Sequence, residues 1–268
     1  MPESKKLRVV SYLAPNWFAF YKGITAYLNR VLGIETQLHQ AECDPLEDPL
    51  LLQDQLDLAF ICGLPLIRYS LSVPNQLRPL VAPVMQAPRY QNSPIYFSDV
   101  IVNAASNLKT FTDLRGKTLC YNDLGSNSGY NLLRYRLIEG GNPQHFFSKV
   151  IQSGSHQLSI RWVAEGLADC AAIDSVVLEQ ELRNTESSDL RVVEMLGPSP
   201  MPPLVVSQHL DASLIQRLQS VLLQPDGELQ AAMTQVGIER FATMHLEDYK
   251  VLAEIFNASF HAGYQKIT

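Results

Sequence analysis

A chain of 268 residues, 46% hydrophobic and 18% charged, can bury a large core as one or two domains, and nothing in it suggests disorder. Its 27 acidic residues outnumber 21 Lys plus Arg, for a net charge of −6, which gives no reason to expect nucleic-acid or membrane-surface binding. No apolar run approaches the ~20 residues needed to span a bilayer.

The first stretch, Met1-Pro2-Glu3-Ser4-Lys5-Lys6, holds neither an apolar core nor a cleavage site, so no export signal is expected in the chain as given. Leu7 to Tyr12 reads as a strand, and Pro15 precedes a helix from Trp17 to Leu32. The aromatics Trp17, Phe18, Phe20 and Tyr21 are mainly core, with pocket walling as the alternative for Tyr12, at the end of its strand, and one or two of the others. A second strand, Ile34 to His39, leads into a solvated acidic loop with Glu42, Asp44, Glu47 and Asp48, where Asp48 and Pro49 start a short helix as cap and first residue. Leu58 to Ile61 has the continuous apolar character of a buried parallel strand, ended by Cys62 and Gly63 ahead of a helix at Leu64.

Leu80 to Val84 forms a further strand, and the break from Gln86 to Pro94 predicts a crossover into a second domain. Tyr96 to Val102 then begins a set of strand-helix units at Thr118 to Glu139, Val150 to Glu165 and Cys170 to Arg183, a pattern of parallel strands with right-handed crossovers. Gly197 to Pro203 is the strongest breaker in the chain, and Leu204 to Ser207 resumes as a strand after the chain crosses back. From Asp211 onward the pattern is helical, with Leu214, Leu218, Val221 and Leu222 on one apolar face and Leu252, Ile255 and Phe256 on another, expected to cover the first sheet. The predicted fold is α/β and two-lobed, with two parallel or mixed sheets flanked by helices: residues 1–90 plus 204–268 in one lobe, 91–203 in the other, two crossover strands as hinge and a cleft between. Cys43, Cys62, Cys120 and Cys170 lack CxxC or metal-ligand spacing and are expected as buried free thiols.

The stretch from Tyr121 to Tyr130 carries the chemistry. It reads as strand, polar turn and helix, with Ser126-Asn127-Ser128-Gly129 at a helix N-terminus, where unpaired N–H groups and the two hydroxyls would meet an anion. Ser and Asn are also the commonest helix caps, and most such turns bind nothing. A second polar turn, Ser153-Gly154-Ser155-His156, occupies the same strand-to-helix position, which puts both turns at the strand ends where ligands of open α/β sheets bind. The flanking Gly154 and Ser155 predict an exposed His156, able to hydrogen-bond an oxyanion and, when protonated, to attract it. Asp174, between a strand and a helix, is as readily an N-cap as a ligand contact. There is no nucleophile elbow, no His-x-x-x-His or His-Glu-x-x-His, no Gly-x-Gly-x-x-Gly and no P-loop, so binding is expected rather than catalysis, with no metal or cofactor.

Tyr96-Phe97-Ser98, Asp113-Leu114-Arg115-Gly116-Lys117, Ser126-Asn127-Ser128-Gly129, Gly154-Ser155-His156, and Ala168-Asp169 through Asp174-Ser175 together resemble the ordered motifs of ABC-transporter substrate-binding proteins for phosphate, phosphite and phosphonate, of the type II periplasmic-binding-protein kind. The resemblance runs from about Leu7 to Ser207. It implies a small oxyanion held in the cleft, a hinge that closes on it, an ABC permease as partner, and a periplasmic or lipid-anchored location, which the missing export signal sets against a cytoplasmic one. It also implies a lining role for Cys62 and Gly63 and a hydrogen bond from His156 to a phosphoryl-type oxygen. The ligand set is then Tyr12, Cys62, Gly63, Tyr96, Ser126, Asn127, Ser128, His156 and Asp174. The carboxylates that meet an amine in aminophosphonate binders are not reproduced: Val176 stands two residues after Asp174, and the second acidic position falls in Met201-Pro202-Pro203. Asn127 stands where the family most often has Thr. Two alternatives accompany this reading. One is a cytoplasmic enzyme on the same fold, as in the menaquinone pathway, which the missing export signal and Ser11-Tyr12-Leu13 favour; the other is a cytoplasmic ligand sensor.

Overall fold

The structure is a computed structural model that describes residues 6–141, 144–183 and 189–268; the segment 1–5, which enters the reading of a missing export signal, lies outside them. The chain divides into two compact units, Met1–Ile95 with Pro200–Lys250 and Tyr96–Ser199 with Val251–Thr268. In chain order the first opens with β1 (Leu7–Ser11), α1 (Phe18–Leu32), β2 (Thr36–Gln40), α2 (Pro49–Leu52), β3 (Leu58–Phe60), α3 (Gly63–Ser72) and β4 (Leu77–Met85). Then come β5 (Ile95–Asn103), β6 (Thr118–Tyr121), α4 (Leu132–Glu139), β7 (Lys149–Gln152), α5 (His156–Ala164), β8 (Cys170–Asp174), α6 (Ser175–Arg183) and β9 (Leu190–Pro200). The chain continues through β10 (Leu204–Ser207), α7 (Ala212–Leu223), α8 (Gly227–Gln235) and β11 (Ile238–Thr243) to α9 (Lys250–His261).

The first unit is built on a six-stranded sheet in the order β11-β4-β10-β3-β1-β2. β1 runs parallel to β2 and β3, while β10 is antiparallel to β3 and β4, and β11 to β4. Helix α1 buries Phe20, Tyr21, Ile24, Tyr27 and Leu28, a stripe at helical spacing, and stops where Gly33 takes a φ of 65°. Asp48 caps α2 as expected, its Oδ1 accepting from the Leu50 N–H at 2.8 Å. Strand β11 is missed by a helical reading of the chain after Asp211. Its pairing with β4 shifts between Ile238 and Arg240, so the buried residues Ile238 and Phe241 fall three apart, which is a helix spacing.

The second unit has a five-stranded sheet in the order β7-β6-β8-β5-β9. β6, β7 and β8 are parallel and β5 is antiparallel to β8, so both sheets are mixed rather than wholly parallel. Alternation along the strands sorts the core onto two faces: Val100, Val102, Leu119, Cys170 and Ala172 on one, Ile101, Cys120, Ala171 and Ile173 on the other. The breaker from Gly197 to Pro203 separates β9 from β10, and its first four residues are the last of β9, an edge strand of the sheet, where a proline ring costs no ladder hydrogen bond on the solvent side.

The expectation for residues 204–268 needs correction at its end. Ile255, Tyr264 and Ile267 pack into the second unit's core, the Ile267 N–H donates to the Tyr130 hydroxyl at 2.8 Å, and 251–268 therefore belong to that unit. An apolar helix face specifies burial and not which sheet it covers. The cysteines are free, but Cys43, in the acidic loop, is exposed and Cys62 only partly covered; Cys120 and Cys170 alone are buried. Those two occupy opposite faces of one sheet, which keeps neighbouring strands from bringing their thiols together.

Candidate functional site

The parallel strands β6, β7 and β8 end at one edge of the second sheet, and the antiparallel β5 begins there, with Ser98 opposite Asp174. Three polar features of the sequence therefore gather at a single edge: the turn after Tyr121, the turn after Gln152, and Tyr96 with Ser98 at the start of β5. Ser126 caps the helix that follows, its Oγ accepting from the Gly129 N–H at 3.0 Å. The first turn, Asn127–Asn131, is a π turn: the Asn131 N–H reaches back to the Ser126 carbonyl at 3.0 Å before α4 begins at Leu132. A turn closed five residues back leaves one more N–H without an intrahelical acceptor than an α turn does, and these donors are what an anion uses.

Gly129 is required by its surroundings. A Cβ at this position would lie 2.8 Å from Asn122 Cγ and 3.1 Å from His156 Cε1, so the helix backbone is seated directly on both side chains. Asn122 is itself pinned, with Nδ2 on Asp123 Oδ2 at 2.9 Å and its carbonyl accepting from Gly154 N at 3.1 Å. Gly154, at a φ of 94°, lets the second turn double back so that Ser155 caps α5 and His156 is its first residue.

His156 is buried, not exposed as its neighbours suggest. Its Nε2 lies 3.1 Å from Ser128 Oγ, and its Nδ1 is buried without a hydrogen-bond partner. Burial lowers the imidazole pKa from 6.5 to about 4, so the ring is neutral near pH 7 and offers a hydrogen bond rather than a charge. Asn122 Oδ1 is likewise buried without a partner. The remaining donors are anchored from behind. The Ser128 carbonyl accepts from Ser98 Oγ at 2.6 Å, and Asn127 donates from Nδ2 to the Tyr96 hydroxyl at 2.8 Å and to Ser199 Oγ at 3.3 Å.

Asp174 caps α6, its Oδ1 accepting from Val176 N at 2.8 Å. Desolvation, with Asp99 and Glu179 adding to it, pushes its carboxyl up to about 7 against the two N–H groups that favour the anion. Tyr96, Ser126, Asn127, Ser128, His156 and Asp174 thus share one sheet edge of the second unit. Tyr12, Cys62 and Gly63 belong to the first unit, at the ends of its parallel strands β1 and β3, where Cys62 caps α3. The Tyr12 hydroxyl donates to Asp48 Oδ2 at 2.7 Å, and burial and that carboxylate raise its pKa.

Sequence reasoning missed Ser199, Asn131 and Arg134. Ser199 was hidden inside a proline-rich stretch taken for a break. Asn131 and Arg134 follow Asn127 at intervals of four and three, a polar stripe that helical periodicity alone would have shown. Among the described residues, no group of three His, Cys, Asp or Glu is placed to hold a metal ion, and no helix is long and apolar enough to cross a membrane.

The chain matches the family model described as ABC transporter, phosphonate, periplasmic substrate-binding protein over residues 9–249. PhnD1 from Prochlorococcus marinus (MIT 9301), solved in complex with methylphosphonate, is similar at a TM-score of 0.82 and 19% identity, covering 98% of this chain and 100% of that one. The binding protein component of an ABC phosphonate transporter from Pseudomonas aeruginosa gives 0.79 at 16% identity over 94% and 86% of the two chains. The alkanesulfonate-binding protein SsuA from Xanthomonas axonopodis pv. citri, bound to MOPS, gives 0.65 at 16% identity over 99% and 96%. The last two are binding proteins by name, and at these identities all three speak for the fold alone. The family match spans nearly the whole chain, which therefore belongs to the periplasmic substrate-binding proteins of phosphonate ABC transporters.

Proposed function

We propose that this protein captures a small phosphonate, phosphite or phosphate-like oxyanion at the polar edge of its second unit and presents it to an ABC permease. The observation that carries this reading is the gathering of Ser126, Ser128, His156 and Tyr96 around the start of one helix, with an imidazole nitrogen buried and lacking a partner. In the tautomer where Nε2 accepts from the Ser128 hydroxyl, Nδ1 is a buried donor without a partner, a cost of ~1–3 kcal/mol that an oxyanion would remove while also accepting from the Ser126 hydroxyl and helix N–H groups. His156 enters the site neutral. A bound anion raises its pKa, so binding takes up protons where the free ring is uncharged. Tyr12, Cys62 and Gly63 are proposed to complete the shell from the first unit by hinge closure, and the Asn127 backbone N–H to serve as a further donor. The methylphosphonate of the Prochlorococcus neighbour supports this ligand class. Val176 and Met201-Pro202-Pro203, where an amine-binding site would place carboxylates, argue against aminoalkylphosphonates.

Calorimetry against phosphate, phosphite, methylphosphonate and sulfate tests the proposal. Loss of a neutral donor costs ~1 kcal/mol and of a charge-assisted one ~1.5–3 kcal/mol, so Ser126→Ala with His156→Ala should weaken binding by tens-fold to several hundred-fold. Unchanged affinity in the double variant, for any oxyanion the wild type binds, overturns the site.

A further inference from the structure

Behind the polar turn a hydrogen-bonded series runs from the C-terminal segment to Tyr96. Arg134 is buried on α4 and donates from one terminal nitrogen to the Gln265 carbonyl at 2.8 Å, and from the other to Asn131 Oδ1 at 2.8 Å. Asn131 Nδ2 donates to Asn127 Oδ1 at 3.1 Å, and Asn127 Nδ2 donates to the Tyr96 hydroxyl and to Ser199 Oγ. The direction of this series follows from one chemical fact: a guanidinium has donors and no acceptor. Asn131 must turn its oxygen to Arg134 and so its NH₂ to Asn127. Asn127 must answer with its oxygen and so send both amide protons to Tyr96 and Ser199. Were Asn131 reversed, Arg134 would meet an NH₂ group and two amide oxygens would face each other across the buried Asn131–Asn127 contact. The Tyr96 oxygen is thereby fixed as an acceptor towards Asn127, which turns its own proton away from that residue.

We infer that Arg134, held by the Gln265 carbonyl, is a positioning residue for the oxyanion site, which sets the donor direction of Tyr96 through Asn131 and Asn127. This inference rests on the oxyanion reading above and assigns a role to a residue that never touches the ligand. It also gives the C-terminal segment a part in the site, since Gln265 and the Ile267 N–H, which donates to Tyr130, fasten the segment beneath the same helix. Polarisation along a series of hydrogen bonds makes each member a stronger donor, so the charge is felt at the phenol without being placed against the ligand.

The test compares affinity for methylphosphonate and phosphite in Arg134→Met, Arg134→Lys and Asn131→Asp, each also in a Tyr96→Phe background. Arg134→Met and Asn131→Asp, which respectively remove the first donor and the middle one, should each weaken binding about five- to twentyfold, and Arg134→Lys should recover most of it. In Tyr96→Phe protein, Arg134→Met should cost less than a further twofold, because its effect passes through the missing hydroxyl. A purely structural arginine would give the same loss in both backgrounds, and that result, or wild-type affinity in Arg134→Met, overturns the inference. A second readout needs no ligand: the side-chain amide NMR signals of Asn127, identified by their loss in Asn127→Ala, should shift in Arg134→Met and return in Arg134→Lys. If wild-type protein binds no oxyanion, the functional reading fails and the amide shift alone decides the series; an unmoved signal refutes it.

Discussion

Gly129→Ala separates a ligand-shaped turn from an ordinary helix start by the sign of its effect. On an open helix surface the substitution stabilises by roughly 0.5–1 kcal/mol, since alanine loses less backbone freedom on folding. Here the added methyl would fall 2.8 Å from Asn122 Cγ and 3.1 Å from His156 Cε1. Asn122 cannot simply swing away, because Asp123 holds its amide and the second turn is bonded to its carbonyl. Overpacking of this kind costs ~1–3 kcal/mol, so the net change should be a destabilisation of up to about 2 kcal/mol. Displacement of His156 should in addition reduce oxyanion affinity at least tenfold, as the loss of one charge-assisted hydrogen bond does. Urea melts of wild type, Gly129→Ala, Asn122→Ala and the double variant measure the stability term; calorimetry on the same proteins measures affinity. Asn122→Ala removes the obstructing atoms, so the double variant should be more stable than the sum of the single changes. Stabilisation by Gly129→Ala alone, with unchanged affinity, would refute the close approach of the two turns.

Three further outcomes follow from the same geometry. The folded His156 pKa of about 4 lies below its ordinary 6.5, so its contribution is complete above 6.5 and is lost as pH falls through about 4, on the order of 3 kcal/mol in all. Melts from pH 7 to pH 4 should therefore fall less steeply in His156→Phe, and equal slopes would count against a buried neutral ring. Truncation after Gly263 removes the buried Tyr264 and Ile267 and should destabilise the second unit by ~3–5 kcal/mol, read as an early transition in a thermal melt; an unaltered melt would contradict the packing of that segment. All four cysteines should alkylate under denaturing conditions without reductant, whereas in native protein the exposed Cys43 should react first and Cys120, whose thiol burial pushes up to about 11, should lag far behind.

The chemistry of the site is local in sequence and its legibility follows from that. Ser126 and Ser155 read as helix caps because a small hydroxyl before an apolar periodicity has few other uses, and both accept from helix N–H groups. The start of β5 could be joined to them only through the motif resemblance, since an antiparallel strand entering beside parallel ones leaves no periodic mark. His156 illustrates a limit of a different kind. Gly and Ser before it imply a turn, which is correct, but whether the ring then faces water or Ser128 depends on a strand neighbour far away in the chain. The π turn is invisible for a similar reason: it changes which carbonyl a donor reaches without altering the spacing of apolar residues. β11 and the C-terminal segment were missed because a bulge mimics helical spacing and because an apolar face does not name its partner.

Co-crystallisation with methylphosphonate tests the central claim most directly. Its phosphonyl oxygens should lie about 3 Å from Ser126 Oγ, Ser128 Oγ, the Tyr96 hydroxyl and a nitrogen of His156, with Asn127 still donating to Tyr96. Ligand density centred on Tyr12 and Asp48 with the Ser126–Gly129 turn uncontacted, or no bound ligand at concentrations that saturate the calorimetric signal, would contradict it.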